Sequence, residues 1–249
     1  MGAIFLFEVD FMAELLLQIK ENALFFGTSI GIMLVIFALA KLAERFWLHC
    51  RQISSARRIS IVGMCGAIAM VLYILDFSIP FLAPPFYKLD FSEVPVLLCG
   101  FFLGPSAGVA CMAIKVLLKL LIKGTTTAFV GDLANFVVGC SLILPATIVY
   151  HLRKTRSGAI GGLITGTLVM TVFGSLFNGI YLLPKFAQLY GMPLDSIVAM
   201  GSAIHSSIHS VSSLVVLCVV PLNLLKGACV SVLTLLLYKH VARPLFRES

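Results

Sequence analysis

Three features of this sequence predict an all-α integral membrane protein. Apolar residues fill 60% of its 249 positions and charged residues only 12%, about half the charge of an ordinary soluble domain. The apolar residues come in runs long enough for helices of about 20 residues that cross a bilayer, and within one such run only a helix satisfies its own backbone. The basic residues gather in the breaks between runs.

Residues 1–22 mix apolar positions with Glu8, Asp10, Glu14, Lys20 and Glu21 and read as an amphipathic surface helix. No small-residue cleavage site follows the first apolar run, so a removed signal peptide is not expected. Ala23–Leu42 is the first predicted span, and Glu44–Arg58 is a polar, basic linker. Ile59–Ile79 is the second, followed by the proline- and aromatic-rich loop Pro80–Asp90. Ser92–Leu103 is apolar but short, and Gly104-Pro105 ends it. Ser106–Ile122, with Lys115 and Lys119, leads to the loop Lys123–Thr127. Phe129–Tyr150 and Ile160–Leu183 are further spans, joined through the basic turn His151–Arg156. Pro184–Ser210 is of mixed polarity, and Pro221–Tyr238 is the last span before a basic tail.

Loop charge orients this array. One set of loops holds ten Lys and Arg, among them Arg57, Arg58, Arg153 and Lys154; the opposite set holds four, Lys20, Lys88, Lys123 and Lys185. The richer set is predicted to be cytoplasmic. The 80–90 loop, the 123–127 loop and the polar residues Asn178, Asn223 and Lys226 then share the outer side. Polar groups from distant parts of the chain at one depth predict an outward-facing small-molecule pocket between helices.

Lys226 is the sharpest single signal. A lysine within a membrane helix costs roughly 2.5–3.5 kcal/mol, so its presence points to a functional group with a partner. A helix that starts at Pro221, where proline needs no N–H, puts Asn223 and Lys226 on one face and Lys226 about 7–8 Å down the axis. That depth suits the floor of a pocket; it also suits a lysine that snorkels to the interface. Asp90 and Glu93 either line the pocket mouth or serve only the positive end of the helix after Ser92, for which Ser92 is a candidate N-cap. Asp132 is expected to pair with Lys115 or Lys119. His205 and His209 are four apart, in surroundings that read as a surface helix, but lack the glutamate of a zinc-protease motif.

Other classes find no support. The seven cysteines form no C-x-x-C and read as core residues. There is no P-loop, GxSxG or HExxH, so no catalytic or metal site is expected. No basic stripe interleaved with aromatics marks a nucleic-acid surface. An ion-coupled carrier built on Asp132 and Lys115 remains as a second class. Gly63, Gly66 and Ala67 on the second span have the small-residue spacing that lets another helix approach, from the same bundle or from a partner protein.

Several stretches carry a resemblance: Lys88-Leu-Asp-Phe-Ser-Glu-Val-Pro95, Gly131-Asp-Leu-Ala-Asn135, Phe177-Asn-Gly-Ile-Tyr-Leu-Leu-Pro184 and Pro221-Leu-Asn-Leu-Leu-Lys-Gly227, in that order. From about Ala56 to Arg243 the chain resembles the substrate-binding S component of an energy-coupling factor (ECF) transporter, most of all the riboflavin-specific type. The resemblance implies a six-helix bundle in the cell membrane with riboflavin bound at its outer side as cargo. Partners would be a transmembrane T component and two cytoplasmic ATPase subunits. It carries substrate contacts onto Asn178, Asn223 and Lys226, and Asp90, in the first outer loop, joins them as a substrate-binding candidate. Main-chain contacts fall near Leu89 and Gly124–Thr125. The contact for the T component falls on Gly63 and Ala67. The chemistry agrees, because amides and an ammonium match the carbonyl oxygens and N–H of a flavin's pyrimidine edge. Residues 1–58 depart from the pattern as an extension with an extra spanning helix, leaving 59–249 as the S-component domain. The loop before Pro221 is long and would act as a lid. FMN, pantothenate or another vitamin are the alternative ligands.

Overall fold

The computed structural model describes residues 20, 23–48, 50, 53–125 and 127–246, with side chains through Tyr238. The surface helix expected over 1–22 lies, apart from Lys20, outside them. In chain order the elements are α1 (Ala23–Trp47), α2 (Ser55–Ile74), β1 (Phe77–Ser78), β2 (Lys88–Leu89), α3 (Glu93–Leu103), α4 (Pro105–Lys123), α5 (Val130–Arg153) and α6 (Arg156–Phe177). A π-turn, Asn178–Leu182, joins α6 to α7 (Leu183–Leu189), and α8 (Leu194–Ser202) follows. A second π-turn, Val215–Val219, joins α9 (Val211–Leu214) to α10 (Val220–Phe246). Among the described residues six helical runs are long and apolar enough to cross a membrane: α1, α2, α4, α5, Arg156–Leu189 and Val211–Tyr238. With the short α3, they form the expected all-α membrane bundle of six helices plus one N-terminal spanning helix.

The bundle is organised around α3. All of its residues are buried, and α2, α4, α5 and α10 pack around it. A helix apolar on every side belongs either in a bilayer or in a protein core, and at 11 residues α3 is too short to span. Gly104 lets the chain double back from α3 into α4: its φ is +109° and a Cβ there would run into the Glu44 carboxylate, so only glycine suits the position. Pro105 then occupies the first turn of α4, where its missing N–H costs nothing.

The extra helix α1 packs on α4 and α5 and is anchored by Glu44. The Glu44 carboxylate accepts from the Ser106 N–H and hydroxyl, both at 2.8 Å. It therefore caps α4 from outside, at the end where a negative charge is favoured. Arg58 donates to the Ser106 hydroxyl at 2.9 Å and completes the cluster.

The structure corrects several boundaries. The last span begins at Val211, not Pro221, because Ser210 and Ser213 form a capping box there. Lys226 therefore lies fifteen residues into the run, roughly 22 Å along it, near the middle of the Val211–Tyr238 span. The fifth span runs from Arg156 to Leu189, past the expected end at Leu183. Pro184 and Pro221 each follow a π-turn closely; a widened turn relieves the clash of an intrahelical proline with the preceding carbonyls. Ser92 precedes α3 but makes no side-chain capping bond; its hydroxyl bonds Asp90 instead. The 80–90 loop is closed by a small antiparallel ladder pairing Phe77 with Leu89 and Ser78 with Lys88. His205 and His209 sit exposed in turns, not on a helix.

Candidate functional site

Polar residues from seven segments meet at one end of the bundle around a cavity of about 440 Å³, within the usual size range for small-molecule sites. Tyr73 comes from α2, Tyr87 and Asp90 from the β1–α3 segment, and Lys119 and Lys123 from α4. Gly124 follows α4, Asp132 and Asn135 come from the start of α5, Asn178 from the first π-turn, and Asn223 and Lys226 from α10.

The floor is ionic. Lys226 Nζ lies 3.0 Å from Asp90 Oδ2 and 3.1 Å from Glu93 Oε1. Glu93 is shared with Lys115, at 3.4 Å. Lys115 also donates to the Ser92 hydroxyl at 2.8 Å and stands over the Tyr73 ring, 4.9 Å from its centre. Its side chain is wholly buried, and that of Lys226 is only 14% exposed. The snorkelling alternative for Lys226 is thereby excluded: its charge is met inside the bundle. Buried lysines persist only when so paired.

Asp90, outside the spanning helices, shows the balance directly. Burial alone would raise its pKa. The Lys226 ammonium, then Lys115 and the bonds from Ser92, more than offset this and hold the carboxyl at about 2. A carboxyl whose folded pKa is depressed contributes binding and stability above its unfolded pKa of about 3.9 and loses them as the pH falls toward 2. Ligand affinity at this floor is therefore expected to be unaffected by Asp90 from pH 5 to 8. A titration series over that range checks this; a fall in affinity centred between pH 5 and 6 would contradict it. Tyr87 is a neutral phenol, its pKa pushed up by burial.

Asn178 and Asn223 form the amide wall. Asn178 Nδ2 donates to the Gly174 carbonyl at 2.8 Å, so the amide is tied to the helix and its Oδ1 is the acceptor end. Asn223 Nδ2 is 3.5 Å from Ser175 Oγ. One turn of α6 thus seats both amides.

Of the residues singled out in the sequence, Asp90, Gly124, Asn178, Asn223 and Lys226 line the cavity. The Leu89 side chain is 2% exposed and packs in an apolar cluster with Ala83, Leu183 and Ile208, leaving its main chain as what position 89 can offer. Thr125 is buried, and its hydroxyl accepts from the N–H of Phe129 at 3.0 Å and of Thr127 at 3.3 Å, shaping the loop beside Gly124. Asp132 pairs with Lys119 at 2.6 Å, one of its two expected partners. Tyr73, Tyr87 and Asn135 also line the cavity; Tyr87 and Asn135 lie in stretches the sequence already singles out, whereas nothing around Tyr73 at the end of α2 announces its role. Among the described residues no group of His, Cys, Asp or Glu could hold a metal ion.

The small residues of α2 divide between two faces. A Cβ on Gly66 would strike Ile114 of α4, whereas one on Gly63 would meet nothing within 4 Å. Gly63 and Ala67 are half-buried beside the exposed Met64, Ile68 and Val71.

Residues 57–238 match the family "ECF transporter, substrate-specific component". The chain is 37% identical over 191 residues to riboflavin transporter RibU of Staphylococcus aureus (strain TCH60), covering 77% of this chain and 93% of that protein. It is 32% identical over 183 residues to riboflavin transporter FmnP of Bacillus subtilis (strain 168), covering 73% and 90%. A solved S component of a bacterial ECF transporter superposes with a TM-score of 0.61 at 37% identity, over 78% of this chain and all of that one.

Proposed function

Because this chain belongs to the family of substrate-specific components of ECF transporters, we propose that it is the riboflavin-binding subunit of an ATP-driven vitamin importer. The observation that carries the proposal is the meeting of Asn178, Asn223 and Lys226 on one cavity with an acidic counterpart in Asp90. A flavin's pyrimidine edge presents carbonyl oxygens and an N–H, which call for this mixture of donors and acceptors, and Tyr73, Tyr87 and Phe86 supply rings against which a flat tricycle packs. The names of the relatives point the same way.

Loop charge supports opening of the cavity to the extracellular side. Leu89 and Gly124–Thr125 would serve through main-chain groups. Gly63 and Ala67 would meet the transmembrane T component, itself carried on two cytoplasmic ATPases. Because α1 packs on α4 and α5, it leaves the Gly63 face of α2 open to that partner. The start of the family match at residue 57 supports division into an extension, 1–58, and an S-component domain, 59–249.

The test is titration of riboflavin into detergent-solubilised protein freed of bound flavin, read by quenching of flavin fluorescence. Saturable one-to-one quenching is expected. Its absence in folded protein would remove riboflavin as the ligand, and FMN and pantothenate would be titrated next.

A further inference from the structure

The turn that leads into α5 is strained, and the extra helix α1 is packed against it. Thr127, Gly131 and Asp132 line the cavity on either side of this turn. Between them, Ala128 and Phe129 have φ of +45° and +68°, the left-handed region that side chains other than glycine rarely enter. Phe129 is also the N-cap of α5, where the backbone is ordinarily extended. Two such residues in a row persist only where their surroundings fix them.

Part of the fixing is local. The Thr125 hydroxyl accepts from the Phe129 N–H, and the Thr127 hydroxyl from the Gly131 N–H, both at 3.0 Å. These bonds hold the main chain and leave the Phe129 ring to packing. Phe129 is 3% exposed, and its ring meets that of Phe26 in the first turn of α1, with centroids 5.0 Å apart and planes inclined at 60°. That is a favoured arrangement for an aromatic pair. The adjacent Phe25 packs against Val130, Ala134 and Leu182, of which Ala134 and Leu182 line the cavity. Neither phenylalanine lines the cavity itself. At the far end of α1, Glu44 caps the start of α4. The helix is thus fastened at both ends, and its outer end bears on the cavity wall from behind.

We propose that Phe25 and Phe26 are positioning residues for the substrate: through them α1 braces the Ala128–Phe129 turn and the first turns of α5, and so holds the lining of the binding cavity in shape. The extension is then part of the binding apparatus. The substrate side of this proposal rests on the riboflavin reading of the same cavity.

The test has two readouts on the wild-type protein, Phe26→Ala, Phe25→Ala, Phe26→Tyr and Glu44→Gln. One is amide hydrogen exchange over residues 127–135 in ligand-free protein; the other is riboflavin affinity by fluorescence quenching. Each alanine variant is expected to speed exchange over that segment and to weaken riboflavin roughly threefold or more, the scale of an aromatic contact. Phe26→Tyr keeps the ring and is expected to stay within about twofold of the wild type on both. Glu44→Gln loosens the opposite end of α1; it should lower the melting temperature and leave both readouts unchanged. Unchanged exchange in both alanine variants would overturn the proposal, because the turn would then hold itself. Faster exchange with unaltered riboflavin affinity would overturn it too, because the brace would not reach the substrate. Equal loosening of residues 127–135 in Glu44→Gln would assign the effect to docking of α1 as a whole and overturn the role of the two phenylalanines. Failure of the wild-type protein to bind riboflavin would count against the ligand reading, and the exchange readout would still decide whether the phenylalanines hold the turn.

Discussion

Lys226→Met is expected to abolish measurable riboflavin binding and to destabilise the protein at the same time. The side chain keeps its length and apolar stem but loses its charge. Asp90 and Glu93, which sit at 3.0 and 3.1 Å from the ammonium, would then have only Lys115 near them, and Lys115 reaches Glu93 at 3.4 Å. Removing one partner from a buried ionic cluster costs about 3–5 kcal/mol, a large part of the 5–15 kcal/mol that holds a typical domain folded. The loss of a charged donor to the ligand adds a further 10- to 100-fold in affinity. The two effects separate in the double variant Asp90→Asn with Lys226→Met. Taking away one negative charge along with the positive one should restore much of the melting temperature while binding stays lost. Normal flavin quenching in a single Lys226→Met variant that melts like the wild type would show that the cluster is neither the binding floor nor a stabilising feature.

The second large effect is expected far from any polar group. The α5–α6 pair is the most extensive helix contact in the bundle, and two glycines permit it. A Cβ on Gly162 would run into the Ala146 carbonyl oxygen, and one on Gly166 would lie 2.5 Å from that of Leu142. Backbone atoms cannot step aside as a side chain can, so each added methyl must push the helices apart. Gly162→Ala with Gly166→Ala should cost about 1–3 kcal/mol per site, lowering the melting temperature by about 4–24 °C. Binding should weaken too, because α5 carries Asp132 and Asn135 while α6 leads into Asn178. Gly161→Ala is the control, since a Cβ there meets nothing within 4 Å. A double variant whose melting curve overlays that of the Gly161→Ala protein would refute the close-packing account.

The contrast between Gly161 and Gly162 shows what pattern alone cannot supply. Both are glycines in an apolar run; which one touches a neighbour depends on the rotation of α6 against α5. Lys226 teaches the same lesson in another way. Its charge inside an apolar segment marks it as a candidate, but its place along the helix differs from the one Pro221 suggests, because the start of the helix is decided by Ser210 and Ser213 and the helix then passes through Pro221 by means of a π-turn. Gly104 was legible as a break, yet that Glu44 of the extra helix caps the helix behind it required a contact across 62 residues.

Read alone, the chain determined the membrane class, the approximate spans, the break before α4, and the amides and lysine that would face a small molecule. These follow from transfer free energies: lipid demands apolar runs, and a polar group inside one must have a reason. Only the tertiary structure decided which acid meets which lysine, that α3 lies at the centre, and that α1 leaves the Gly63 face uncovered. Those outcomes depend on which helices become neighbours and how each is turned. Among helices that are apolar nearly all round, hydropathy leaves that choice open, and it is settled by close packing and by the pairing of a few buried charges.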